Sequence, residues 1–150
     1  MDAHFSEFFT FTIEAHFVAF VVHMAALFER KDTINLQHLA DEMKAKNMPS
    51  EVAAEVDALF LEAKPLAKKV AILRNNVFAH RSAFHSYAEV FKMANVTEDQ
   101  LLRLTEIALN IVNQLLRAAK LSHQFFNPGA REQAEALIKT LLRDHVRANP

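Results

Sequence analysis

Between positions 64 and 85 the chain gathers side chains that hold anions or move protons: Lys64, Lys68, Lys69, Arg74 and Arg81, with His80 and His85. Residues 64–88 contain five basic and no acidic residues, whereas residues 1–63 contain eleven acidic and four basic, and residues 89–150 seven acidic and eight basic. The formal net charge of −1 therefore hides a local basic window, and an anionic ligand belongs there. Within it, Arg74 and His80 carry the most specific chemistry. Guanidinium is permanently charged and matches two oxyanion oxygens at once, and imidazole titrates near neutrality and serves as acid or base. The plainer reading of such a window is a solvated helix face. On that reading Arg74 reaches an acid among the first 63 residues, and His80 sits near a helix C-terminus because the dipole favours a cation there.

Other chemistries find few residues. The chain has no Cys and one Gly, which leaves no thiolate nucleophile, no Cys-based zinc site and no glycine-rich phosphate loop. Nucleophile-elbow serines and Glu-x-x-His pairs are also missing, so no cofactor is expected. Eight histidines raise the question of a metal, but His16 with His23 and His85 with Glu89 are pairs only. A metal needs three or four convergent ligands, so no metal site is expected, and His16 and His23 read as satisfied or half-buried histidines of a core helix.

The elements that position the window read as helices. A chain of 150 residues with 51% hydrophobic and 23% charged residues suits one domain, 1–150, and scarce glycine disfavours hairpins. Phe5–Arg30 is apolar along its length but carries Glu14 mid-span, which argues for a long buried helix and no membrane. No export signal fits the start, so the expected compartment is the cytoplasm. A shorter amphipathic helix follows, capped by Asp32 or Thr33 and ending before Pro49. Ser50 is the expected cap of a third helix, whose apolar period continues from Val52 to Phe84 with a kink or short break at Pro65. Thr97-Glu98-Asp99-Gln100 is a capping box opening a helix through Leu116. After the turn Asn127-Pro128-Gly129 a last helix carries Ala134, Leu137 and Leu141. The expected fold class is all-α, an antiparallel bundle of about five helices.

The stretch Leu73-Arg74-Asn75-Asn76-Val77-Phe78-Ala79-His80 resembles the Arg, four to six residues, His signature of the HEPN superfamily, with the polar residue after the Arg present as Asn75 and the Ala-His pair as Ala79-His80. The long opening helix, the segment Asp-Thr-Ile-Asn-Leu-Gln-His-Leu at 32–39 and the capped helix from Thr97 are similar to the abortive-infection, AbiU-like branch. The resemblance implies a HEPN-like helical bundle and a metal-independent endoribonuclease of toxin–antitoxin or phage-defence systems, acting as a homodimer. It also implies an antitoxin protein as a partner. HEPN toxins neutralised by tyrosine modification carry that Tyr two positions after the His, where this chain has Ser82, so an antitoxin would have to act by occlusion or another chemistry.

Cleavage of RNA through its own 2′-hydroxyl needs a base, an acid for the leaving 5′-oxygen and a cation for the phosphorane. Arg74 and His80 are the catalytic candidates; Asn75 and Asn76 could orient the scissile phosphate, and Lys68, Lys69 and Arg81 could hold the substrate. Six residues of helix turn the second side chain about 120° from the first and move it ~9 Å along the axis, so one helix does not aim both at one atom. Two motif helices meeting at a two-fold axis would, one His acting as base and the other as acid. The alternative is a non-catalytic HEPN-like bundle that uses the same window to bind a nucleotide or a partner protein.

Overall fold

The computed structural model describes residues 3–29, 35–79, 87–125, 129, 132–136 and 139–140. These form five helices, α1 (Ala3–Phe28), α2 (Leu36–Ala45), α3 (Ser50–Ala79), α4 (Tyr87–Ala94) and α5 (Glu98–Ala118), with further helical backbone at 132–136 and 139–140 and no strand among the described residues. The all-helical bundle expected from composition is the fold. Its organising element is α3, which packs against α1, α2, α4 and α5.

Helix α3 runs unbroken for 30 residues, about 45 Å at the usual rise, through Pro65. The break expected there is absent because the helix is anchored on both sides of the proline, by Val56 and Ala63 before it and Val70 and Leu73 after it, all buried. Its first hydrogen bond runs from Ala53 N–H to the Pro49 carbonyl (3.0 Å), so Ser50 is already inside the helix and does not cap it. The cap of α2 also differs from expectation: Asn35, not Asp32 or Thr33, accepts the His38 N–H at 2.7 Å. Asn35 is itself buried, and Leu36 and Ala40 go into the core from that start. The capping box of α5 is as the sequence predicts, Thr97 Oγ1 accepting from Gln100 N–H and Gln100 Oε1 from Thr97 N–H. Helix α4 is an element the periodicity does not reveal.

With one glycine in the chain, other residues take the left-handed positions that close helices. Asn47, Asn95 and Lys120 have φ of 67°, 50° and 58°. Each is flanked by the paired backbone bonds of a Schellman closure, as in Met48 N–H to Met43 C=O and Asn47 N–H to Lys44 C=O.

The core runs from Val21, Met24 and Ala25 of α1 through Val56, Val70 and Leu73 of α3 to Leu104, Ile107 and Ile111 of α5. Among the residues of α1 whose side chains are described, the buried ones are Val21, Met24 and Ala25, all in its second half. Phe8, Phe11 and Ile13 are 63%, 70% and 67% exposed, which corrects the expectation of a helix buried throughout. The stretch Glu7–Phe28, with mean hydropathy 1.7, is long and apolar enough to cross a membrane by length and composition, and 17% of it is buried. Phe17 stacks on Phe91 (centroids 5.4 Å apart) and ties α1 to α4.

Candidate functional site

Arg74 follows Leu73, whose side chain is fully buried, and so its own side chain leaves α3 at the edge of the core. There it meets Glu29, the residue just after α1. Arg74 Nη1 and Nη2 donate to the two carboxylate oxygens of Glu29, the second bond at 3.1 Å, and both side chains are partly buried (23% and 34% exposed). Arg74 Nε and Nη2 also donate to Asn75 Oδ1 at 3.3 and 3.1 Å. Two parallel bonds to one carboxylate fix the plane of the guanidinium as well as its position. In the single chain, Arg74 therefore does reach an acid of the first 63 residues. An incoming phosphate has to share or displace the Glu29 carboxylate.

The other expected site residues fall into three groups. Asn75 is exposed beside Arg74, and Asn76 is half-buried one position on. His80 and Arg81, with His85 and Ser82, lie outside the described residues. The two expected substrate lysines part company. Lys69 donates to Gln100 Oε1 at 2.9 Å, bracing the capping box of α5. Lys68 is exposed about 100° further round the helix, where with Lys64 it lines a groove of about 600 Å³ between α3, the C-terminal end of α1 and α2. Lys64 was visible in the basic window, but only the shared face with Lys68, four residues on, places it at a site.

Elsewhere the charged groups brace helices. Arg103 of α5 binds Glu62 of α3 at 2.7 Å and Glu106 at 3.2 Å. Hydrogen bonding to Glu62, and then to Glu106, raises the pKa of its guanidinium above the usual value. Arg117 reaches Glu55 at 3.5 Å and Lys44 reaches Asp57 at 2.5 Å. As the α3 partner moves from Glu55 through Glu62 to Lys69, the α5 partner moves from Arg117 through Arg103 to Gln100, so the two helices are antiparallel. His16 and His23 are exposed, not half-buried, and His16 Nδ1 donates to the Thr12 carbonyl at 2.8 Å. Among the described residues no three His, Asp or Glu side chains converge as metal ligands.

An all-helical bundle whose central helix carries an arginine near its end, six residues ahead of a histidine in the sequence, agrees with the HEPN class. The HEPN family model described as AbiU2 matches residues 1–137, and the chain belongs to that family. Membership implies an abortive-infection defence protein, and HEPN domains often act as ribonucleases. No curated protein and no solved structure matches the chain.

Proposed function

We propose that this chain is a metal-independent endoribonuclease that serves abortive infection, cutting RNA at a composite Arg74 and His80 site built by two copies. The observation that carries the reading is the HEPN-family match together with the spacing that sets Arg74 near the end of the central helix, six residues before His80. The hold of Glu29 and Asn75 on Arg74 fits this reading and the plainer one alike. In this reading Glu29 is a positioning residue that keeps the guanidinium extended before RNA arrives. The scissile phosphate then takes one edge of the fork, and the guanidinium stabilises the phosphorane. His80 of one copy takes the 2′-hydroxyl proton, and His80 of the other protonates the leaving 5′-oxygen. Asn75, Asn76 and Arg81 orient the phosphate.

The helix geometry calls for two copies, and the exposed Phe8, Phe11 and Ile13 supply apolar surface that a second copy would cover. In this reading the protein acts in the cytoplasm, off the membrane, and any antitoxin protein works by covering the site or by a chemistry other than tyrosine modification. Incubation with total RNA in EDTA tests the reading. Wild type should cut; His80→Ala should cut ~10²–10⁴-fold more slowly with RNA affinity kept, since only proton transfer is lost. Arg74→Lys should bind yet cut about 10²–10³-fold more slowly, because the charge remains and the fork does not. Nucleotide binding by a wild type that cuts nothing would instead identify a non-catalytic binding bundle.

A further inference from the structure

The groove beside Arg74 has a composition that the catalytic pair does not explain. Its floor is one stripe of α3, on which Lys64, Lys68 and Ala71 follow at four- and three-residue intervals and Asn75 comes four residues later. Two carboxylates also line it, but each is already matched by a cation outside the lining: Glu29 by Arg74 and Asp57 by Lys44. The lining itself balances at two ammonium and two carboxylate groups, but Lys64 and Lys68 make no ion pair among the described residues and are the charges left to meet an anion. Its walls carry two half-buried rings, Phe28 from α1 and Phe60 from α3, which pack against the core on one side and border the groove on the other. Paired ammonium groups beside aromatic faces are what a single-stranded nucleic acid uses, phosphates on the cations and bases on the rings. A volume of about 600 Å³ is in the usual range for a small-ligand site.

We propose that this groove is a subsite for the RNA strand flanking the cleaved bond, with backbone phosphates on Lys64 and Lys68 and a base against Phe28 and Phe60. The proposal rests on the ribonuclease reading for its ligand and on the groove's charge and rings for its place. Along α3 the two lysines are ~6 Å apart. Arg74 lies about 120° round the helix from Lys68, but Glu29, which it holds, lines the same groove, so a strand seated on the lysines ends beside the arginine's partner. An acidic peptide would satisfy the lysines but leave the rings without planar partners.

The probe is a short fluorescein-labelled RNA, 2′-O-methylated throughout so that it cannot be cut, titrated against the full-length chain by anisotropy. Lys64→Gln with Lys68→Gln should weaken binding at least about tenfold and lower the salt slope of log K by ~1.4, at 0.7 per lost phosphate contact. On cleavable RNA the loss should appear in KM. Phe60→Leu keeps the apolar volume, and should weaken binding about tenfold without changing the salt slope, since a stacked base is lost and no charge is. Unchanged affinity and slope in the double variant, with cutting intact, would overturn the groove and leave the ribonuclease reading standing. Lysine-dependent binding by a wild type that cuts no RNA would do the reverse. A double variant that loses affinity for AMP but not for the oligonucleotide, or a polyglutamate peptide held as tightly as the RNA, would also overturn the assignment to a strand.

Discussion

The two charged edges of α3 use their side chains in opposite ways. On the edge facing α5, Glu55, Glu62 and Lys69 recur every seven residues, and each reaches a partner on the neighbouring helix. About half a turn round, on the stripe facing α1 and α2, Lys64 and Lys68 remain without ion partners among the described residues. A seven-residue interval keeps a side chain beside the same antiparallel neighbour, and charge in that register crosslinks helices. Charge out of that register faces a groove. The lesson is that position round the helix, more than net charge, separates a brace from a binding group, and it divides the two lysines at 68 and 69.

If that separation is right, stability and RNA affinity should respond to different residues. The largest effect is expected at Leu73, fully buried beneath Arg74. Leu73→Ala should cost about 2–5 kcal/mol in urea unfolding and take activity with it, because it undermines the arginine's base. Next comes Arg74→Ala. Loss of a bidentate, partly buried pair should cost about 1 kcal/mol, the upper end of the range for ion pairs near a surface. Glu29→Gln should cost less than that, and should raise RNA affinity several-fold by removing the carboxylate that competes with phosphate, as anisotropy would show. A fall in affinity would mean that the positioning of the arginine by Glu29 outweighs its competition with phosphate.

On the braced edge, Arg103→Ala should lower stability by about 0.5–1 kcal/mol, less at high salt, and leave RNA affinity alone. The smallest effect belongs to Arg117→Ala, a few tenths of a kcal/mol by thermal melt, roughly what an exposed pair supplies. If either arginine variant bound RNA tenfold more weakly, the division between the edges would fail.

Local signals in the sequence were legible where the interaction itself is local. The Thr97 capping box spans four residues, and its two bonds form as the pattern predicts. Around residue 35 the pattern is degenerate, since Asp32, Thr33 and Asn35 can all cap. The choice falls to the register that buries Leu36 and Ala40, a tertiary matter. Pro65 shows propensity overruled: buried residues on both sides hold the helix through it. At the site, the basic window and the Arg74 to His80 spacing were readable. The partner of Arg74 was not, because Glu29 lies 45 residues away and only packing of α1 on α3 joins them. The Lys69 assignment could have been improved from sequence, by noticing that it continues the interval from Glu55 and Glu62.

Pro65 also bears on how α3 moves. Lacking an N–H, it leaves the Leu61 carbonyl without the helical hydrogen bond it would otherwise accept, so the ladder of α3 has one missing rung at the level of Lys64 and Leu61. Both halves enter the core and reach α5, the first through Glu55 and Glu62 and the second through Lys69, but the first also pairs with α2 through Asp57 and the second with the end of α1 through Arg74 on Glu29. The missing rung is the point at which α3 is expected to open in two units. Amide hydrogen exchange should therefore show separate protection levels before and after residue 65, and RNA seated on Lys64 and Lys68, which straddle the gap, should draw the two levels together.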